Sequence, residues 1–150
     1  MLLTGDAYLL RELCLVQDEL RRFSQGVRPV ALESGGLAEA LPQLAAASPL
    51  PVELRADVPR LPPAVETAAW FVCAETLTNV AKHARAASAR VQVTYHDGEL
   101  IVVVVDDGTG GADPNGSGLR GLADRAEALG GRLDVSSGPG RTVVTARLPT

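Results

Sequence analysis

Lysine is nearly absent from this chain of 150 residues: Lys82 is the only one, and the formal net charge is -4. Polyanion binding draws on clustered Lys and Arg, so nucleic acid is not an expected partner, and a nucleotide would have to be held by local geometry. Cysteine is scarce too. Cys14 and Cys73 lie far apart in apolar helical patterns, without CxxC or Cys/His ligand spacing, which argues against a disulfide framework or a zinc site. Free buried thiols in a reducing cytoplasm are the expected state. Missing also is any apolar run long enough to span a bilayer, and the opening MLLTGDAYLLREL lacks the basic-then-apolar pattern of a signal peptide. The piece is expected to be soluble and cytoplasmic, although a longer parent could be membrane-anchored.

What is present is enough apolar material, 46% of residues, for one ordinary packed domain. From Asp6 to Ser24, Leu9, Leu10, Leu13, Val16, Leu20 and Phe23 recur at near-helical spacing, and Gly26 and Pro29 close that amphipathic segment. A shorter helix fits Leu37 to Ala47. Pro49 and Pro51 break it, and Val52, Leu54 and Ala56 then alternate with charged neighbours as a strand. Pro59, Pro62 and Pro63 mark a turn and a helix start. The helix expected from Pro63 to Ala84 has two faces at 100° per residue. Trp70, Cys73, Leu77, Val80, Ala81 and Ala84 share the buried side, while Glu75, Asn79, Lys82 and His83 project from the other.

Downstream, a strand from Arg90 to Tyr95, a His96-Asp97-Gly98 turn and the apolar run Leu100 to Val105 read as a hairpin whose second strand is buried. The run stops at Asp106-Asp107. Residues 108–118 carry Gly, Asp, Pro, Asn and Ser and almost no apolar side chains, the composition of a mobile loop. A helix is expected from Leu119 to Leu129, stopped at Gly130-Gly131, followed by a hairpin of Arg132–Ser136 and Thr142–Leu148 around Ser137-Gly138-Pro139-Gly140.

Four segments stand in a telling order: Glu75-Thr-Leu-Thr-Asn79-Val-Ala-Lys82-His83, Asp106-Asp107-Gly108-Thr109-Gly110, Gly116-Ser-Gly118-Leu119 and Gly140-Arg141-Thr142. This order resembles the N box, G1 box, G2 box and terminal glycine-threonine element of the gyrase, histidine kinase and MutL ATPase superfamily, whose nucleotide-binding unit is the Bergerat fold. The stretches AETLTNVAKHARA, VVVDDGTGG, GSGLRGLADRAEALGG and GRTVVTARLP are more closely similar to the nitrate-sensor-like group of sensor histidine kinases, from roughly Leu9 to Pro149.

The resemblance implies an α/β two-layer sandwich (α+β) with a mixed sheet of about five strands, covered by helices on one face. Residues 1–28 would be the end of a dimerisation helix and its linker, and residues 29–150 the ATP-binding catalytic domain. ATP and Mg²⁺ would be the bound species. Asn79 would ligate the metal, whose preference for hard oxygen donors an amide satisfies. Glu75 would take an acid/base role, and Lys82 and His83 would touch phosphate oxygens. Asp106 would accept from the adenine amino group and reject guanine, which presents an acceptor there. Gly108 and Gly110 would let the backbone approach the base. Gly116, Gly118 and Leu119 would open the helix after a lid, with backbone N–H groups toward the phosphates and Arg120 adding charge. Thr142 would help bind the base, directly or through water.

Two features depart from the pattern. Arg141 stands where many relatives have glycine, which alters the geometry around Thr142. The only histidines are His83, inside the N box, and His96, in a turn, so the phospho-acceptor is expected on another segment or chain. The implied reaction is transfer of the γ-phosphoryl group to that histidine on a dimerisation domain, then to a response regulator, within a homodimeric parent. Taken singly, each motif has a plainer reading. Asp-Asp-Gly is ordinary loop punctuation, and Glu, Asn and Lys on one helical face are usually a solvated surface. Their joint order and spacing decide for the site. The rivals are a serine/threonine protein kinase of the anti-sigma-factor type on the same fold, and a non-catalytic nucleotide-dependent interaction module.

Overall fold

A computed structural model describes residues 29–83, 86–108 and 117–150. The segment from Asp6 to Ser24, with Cys14 and the expected boundary after residue 28, lies outside the described residues.

Two short helices come first, α1 (Val30–Gly35) and α2 (Leu37–Ala47). The sequence pattern predicts α2 but not α1, because Pro29 and the Gly35-Gly36 pair read as punctuation. Instead the Pro29 carbonyl accepts the N–H groups of Leu32 and Glu33 and so starts α1. Gly36, at φ +70°, makes the bend into α2 that a side chain would resist.

Then follow β1 (Val52–Ala56), α3 (Pro63–His83), β2 (Ala89–His96), β3 (Glu99–Asp106), α4 (Ser117–Ala128), β4 (Arg132–Gly138) and β5 (Arg141–Pro149). The strands form one five-stranded sheet in the order β1-β2-β3-β5-β4. β1 runs parallel to β2, and every other neighbouring pair is antiparallel. A parallel pair needs a crossover, which α3 supplies. The β2–β3 hairpin turns on Asp97 and Gly98, both at positive φ, the pairing a two-residue turn with matching twist demands. The β4–β5 hairpin is tighter than expected, with only Pro139-Gly140 between its strands.

Burial follows the two-residue period of the strands. Val91 and Val93 of β2, Leu100, Val102 and Val104 of β3, and Val144, Ala146 and Leu148 of β5 are buried on one face. Ile101, Val103 and Val105 point the other way and are only half-buried. The apolar run of β3 is therefore not enclosed on both sides, as its composition suggests. Among the described residues the helices roof a single face, and on the other the aliphatic side chains are only partly screened.

α3 is the central helix, packing against α2, α4, β2, β3 and β5. Val65, Ala68, Ala69, Val72, Cys73, Leu77 and Val80 are buried along it, and so are Glu66, Phe71 and Ala74. The two-faced pattern thus holds only in the last turns, because flanking helices cover the earlier ones. Ala81, expected inside, is exposed, and Trp70 is half-buried. Burial pushes the Cys73 thiol up to about 12, leaving it protonated and unreactive at neutral pH.

Candidate functional site

The last residues of β3 meet the first of β5 and β2 in one row: Asp106 pairs with Thr142 on one side and Ala89 on the other. The alternation of β3 puts Asp106 on the same face as Val104, beneath the helices. It is 4% exposed and Thr142 is 6% exposed. Asp106 Oδ1 accepts the Gly108 N–H at 2.9 Å. No bond to a described residue occupies its other oxygen. Burial pushes this carboxyl above the usual carboxylate range, the Gly108 N–H opposes that shift, and neighbouring Asp107 adds to it. A buried carboxylate of this kind is stabilised by a ligand that brings an N–H donor. Thr142 Oγ1 lies 3.4 Å from Ser137 Oγ, across the β4–β5 pair.

Asp107 turns outward and does something sequence reasoning missed. Its Oδ1 accepts the N–H groups of Ala87 and Ser88 at 2.8 and 3.0 Å, and its Oδ2 accepts the Ser88 hydroxyl at 3.1 Å. These donors, the Ser88 N–H foremost, hold its carboxyl below the usual range. The only signal in the sequence was the doubled aspartate, which by itself reads as a turn.

α3 contributes the second group of residues. Glu75 and Asn79 are half-buried one turn apart and Lys82 is exposed on the last turn, as the helical spacing predicts. His83 is the last residue of the helix, and its side chain is not among the described groups. Glu75 reaches across to the first turn of α4: a Cβ placed on Gly118 would lie 2.8 Å from Glu75 Oε1. This approach brings the N box and G2 box segments together and sets a carboxylate at a helix N-terminus, where its charge is favoured. Leu119 is 6% exposed and belongs to the core, anchoring α4. Arg125, further along α4, lies 4.2 Å over the Phe71 ring of α3 and ties the two helices together. Gly110 and Gly116 lie outside the described residues.

A cleft of about 630 Å³ opens at the same edge of the sheet, lined by Glu53, Ser88, Arg90, Val105, Asp106 and Arg141 among others. Glu75 and Asn79 do not line it. What Asp106 and Asn79 share is the helix-covered side of the sheet, since α3 packs over β3 and β5. The donor set suits a magnesium nucleotide: a neutral amide and a carboxylate one turn apart on α3, and a buried carboxylate with one oxygen that no described residue bonds. His96, expected as a surface turn residue, is exposed but is the last residue of β2, with its Nε2 3.1 Å from Asp97 Oδ2.

The architecture defines the class, a two-layer α/β sandwich of the Bergerat type, with helices over one face of a mixed sheet and an acidic residue closing an inner strand. The chain belongs to the sensor histidine kinases. It is 34% identical over 152 aligned positions to the signal transduction histidine-protein kinase/phosphatase UhpB of Salmonella typhimurium, covering 94% of this chain and 30% of that protein. It is 31% identical to the sensor histidine kinase NarS of Mycobacterium tuberculosis, over 97% of this chain and 37% of that protein. Among solved structures, the histidine kinase domain of the Erythrobacter litoralis EL346 blue-light activated histidine kinase matches with a TM-score of 0.60 and 28% identity, over 82% of this chain and 62% of that one. No family model matches. The chain thus spans about a third of the length of these curated relatives, and among the described residues no helix is long and apolar enough to cross a membrane.

Proposed function

We propose that this chain binds Mg-ATP and transfers its γ-phosphoryl group to a histidine on another segment or chain, in a two-component relay that ends on a response regulator. The observation that carries this reading is Asp106: a buried carboxylate at a strand end, beneath α3, with one oxygen bound to Gly108 and the other available to an adenine amino group. Thr142, its cross-strand partner, supplies a hydroxyl beside it. Asn79 offers the oxygen that holds magnesium, which when bound neutralises charge on the phosphates. Glu75 holds or orients a proton at the reacting end, and Lys82 and His83 stabilise phosphate charge. Catalysis in this reading rests on positioning and charge stabilisation.

Because the histidines of the chain are His83 in the N box and His96 at the end of β2, the polypeptide alone is expected to bind nucleotide without phosphorylating itself. The test is a titration of Mg-ATP against the wild type, Asp106→Asn and Asn79→Ala, followed by labelled ATP with an added acceptor-helix domain. Asp106→Asn should weaken binding by about 1.5 kcal/mol or more, the loss of a charge-assisted bond. Asn79→Ala should remove most of the magnesium dependence. Label on the acceptor should be acid-labile. Acid-stable label would point to serine or threonine transfer, and a wild type that ignores Mg-ATP would refute the proposal.

A further inference from the structure

The segment that joins α3 to β2 is short. His83 ends the helix and Ala89 begins the strand, so whatever fixes residues 87 and 88 also limits where the last turn of α3 can sit. Asp107 fixes both. Its carboxylate takes the Ala87 N–H, the Ser88 N–H and the Ser88 hydroxyl, and its own N–H lies 3.5 Å from the Ser88 carbonyl. The link continues the β2–β3 ladder one step beyond the Ala89–Asp106 pair. It is made by the residue next to the candidate purine carboxylate and grips the chain at Ala87 and Ser88, four and five residues after His83 ends the helix that carries the candidate magnesium amide.

We infer that Asp107 is a positioning residue for the nucleotide site, clamping the exit of α3 to the end of β3 so that Asn79 and Asp106 keep a fixed separation. The inference rests on the nucleotide-binding reading proposed above. Its content is a division of labour within the aspartate pair: Asp106 faces inward to the base, and Asp107 faces outward and holds the metal-bearing helix in register with it. Asp106 itself is held by Ala89 and Thr142 on either side. Releasing the clamp should therefore leave the purine end in place and loosen the magnesium and phosphate end.

That asymmetry separates a positioning role from a merely structural one. For the full chain, the readout is the ratio of ATP dissociation constants in EDTA and in magnesium. Residues that orient metal ligands from outside the coordination shell typically contribute about 10- to 100-fold to metal affinity, so Asp107→Ala should cut the ratio about tenfold while affinity in EDTA changes little. Asp107→Asn keeps an oxygen for the two N–H groups and an amide that can donate to the Ser88 hydroxyl, and it should restore most of the ratio. Amide exchange should speed up at Ala87 and Ser88 in the alanine variant and stay slow at Val102 and Val104.

Should the alanine variant be too unstable to assay, Asp107→Glu answers the same question. It retains the charge but moves the acceptor by one methylene, and the ratio should again fall. An unchanged ratio in whichever variant is assayed, alanine or glutamate, overturns the inference and leaves nucleotide binding standing. A wild type that fails to bind ATP overturns both.

Discussion

Asp106 and Asp107 stand side by side at the end of β3 and respond to acid in opposite directions. The Asp106 carboxyl is raised, chiefly by burial. When ionised it opposes folding at neutral pH, and this opposition is relieved as pH falls through the raised value and is gone below the ordinary carboxylate value. Asp107 is lowered by the donors it accepts. Its contribution to stability is present above the ordinary carboxylate value and is lost as pH falls through the depressed one. Asp106→Asn should therefore melt at or above the wild-type temperature at pH 7 without nucleotide, while binding ATP more weakly. Its advantage should shrink as pH drops toward 4, as scanning calorimetry would show; a lower melting temperature at pH 7 would contradict the burial argument. The sequence alone marked Asp106, since a carboxylate ending an apolar run is conspicuous. It could not mark Asp107, because the donors of Ala87 and Ser88 come from a segment some 20 positions earlier.

At the scale of elements, α3 differed most from its sequence pattern, and Glu66 shows why. This carboxylate is fully buried, with 0% exposure, and pairs with Arg60 at 3.2 Å while accepting the Leu61 N–H at 3.3 Å. Arg60 also donates to the carbonyls of Ser34 and Glu33 at 3.3 and 3.2 Å. The cluster thereby closes the end of α1 and locks it to the start of α3. Gly36 fits the gap, since a Cβ there would lie 2.6 Å from Glu66 Oε2. Removing the arginine takes away the guanidinium that the buried Glu66 carboxylate faces. Arg60→Ala should lower unfolding free energy by about 2 kcal/mol, somewhat under the usual loss for a fully buried pair because Arg60 is partly exposed. Urea denaturation measures this, and Glu66→Gln in the same background should recover part of it. Helical periodicity located α3 to within a residue at its described end. It could not show that acidic Glu66 sits inside, because burial there is set by Arg60 and α1, which periodicity along α3 does not contain.

At the scale of the whole molecule, the decisive feature is that the described helices roof one face of the sheet. Leu100 and Ile101 are neighbours on β3, yet Leu100 is fully buried under the helices while Ile101 is half-exposed on the open face. Leu100→Ala should cost about 3 kcal/mol, in the range for a deleted core aliphatic. Ile101→Ala should cost clearly less, and equal losses in denaturant would mean that the open face is covered. The order of elements from α2 onward, the presence of both hairpins and the placing of the motif residues on α3 and β3 followed from the sequence, because period, turn chemistry and spacing are local properties of a chain. Which face of the sheet the described helices cover and which donors Asp107 accepts came only with the tertiary structure. Each depends on contacts between segments distant in the chain, and no local pattern encodes the partner across such a contact.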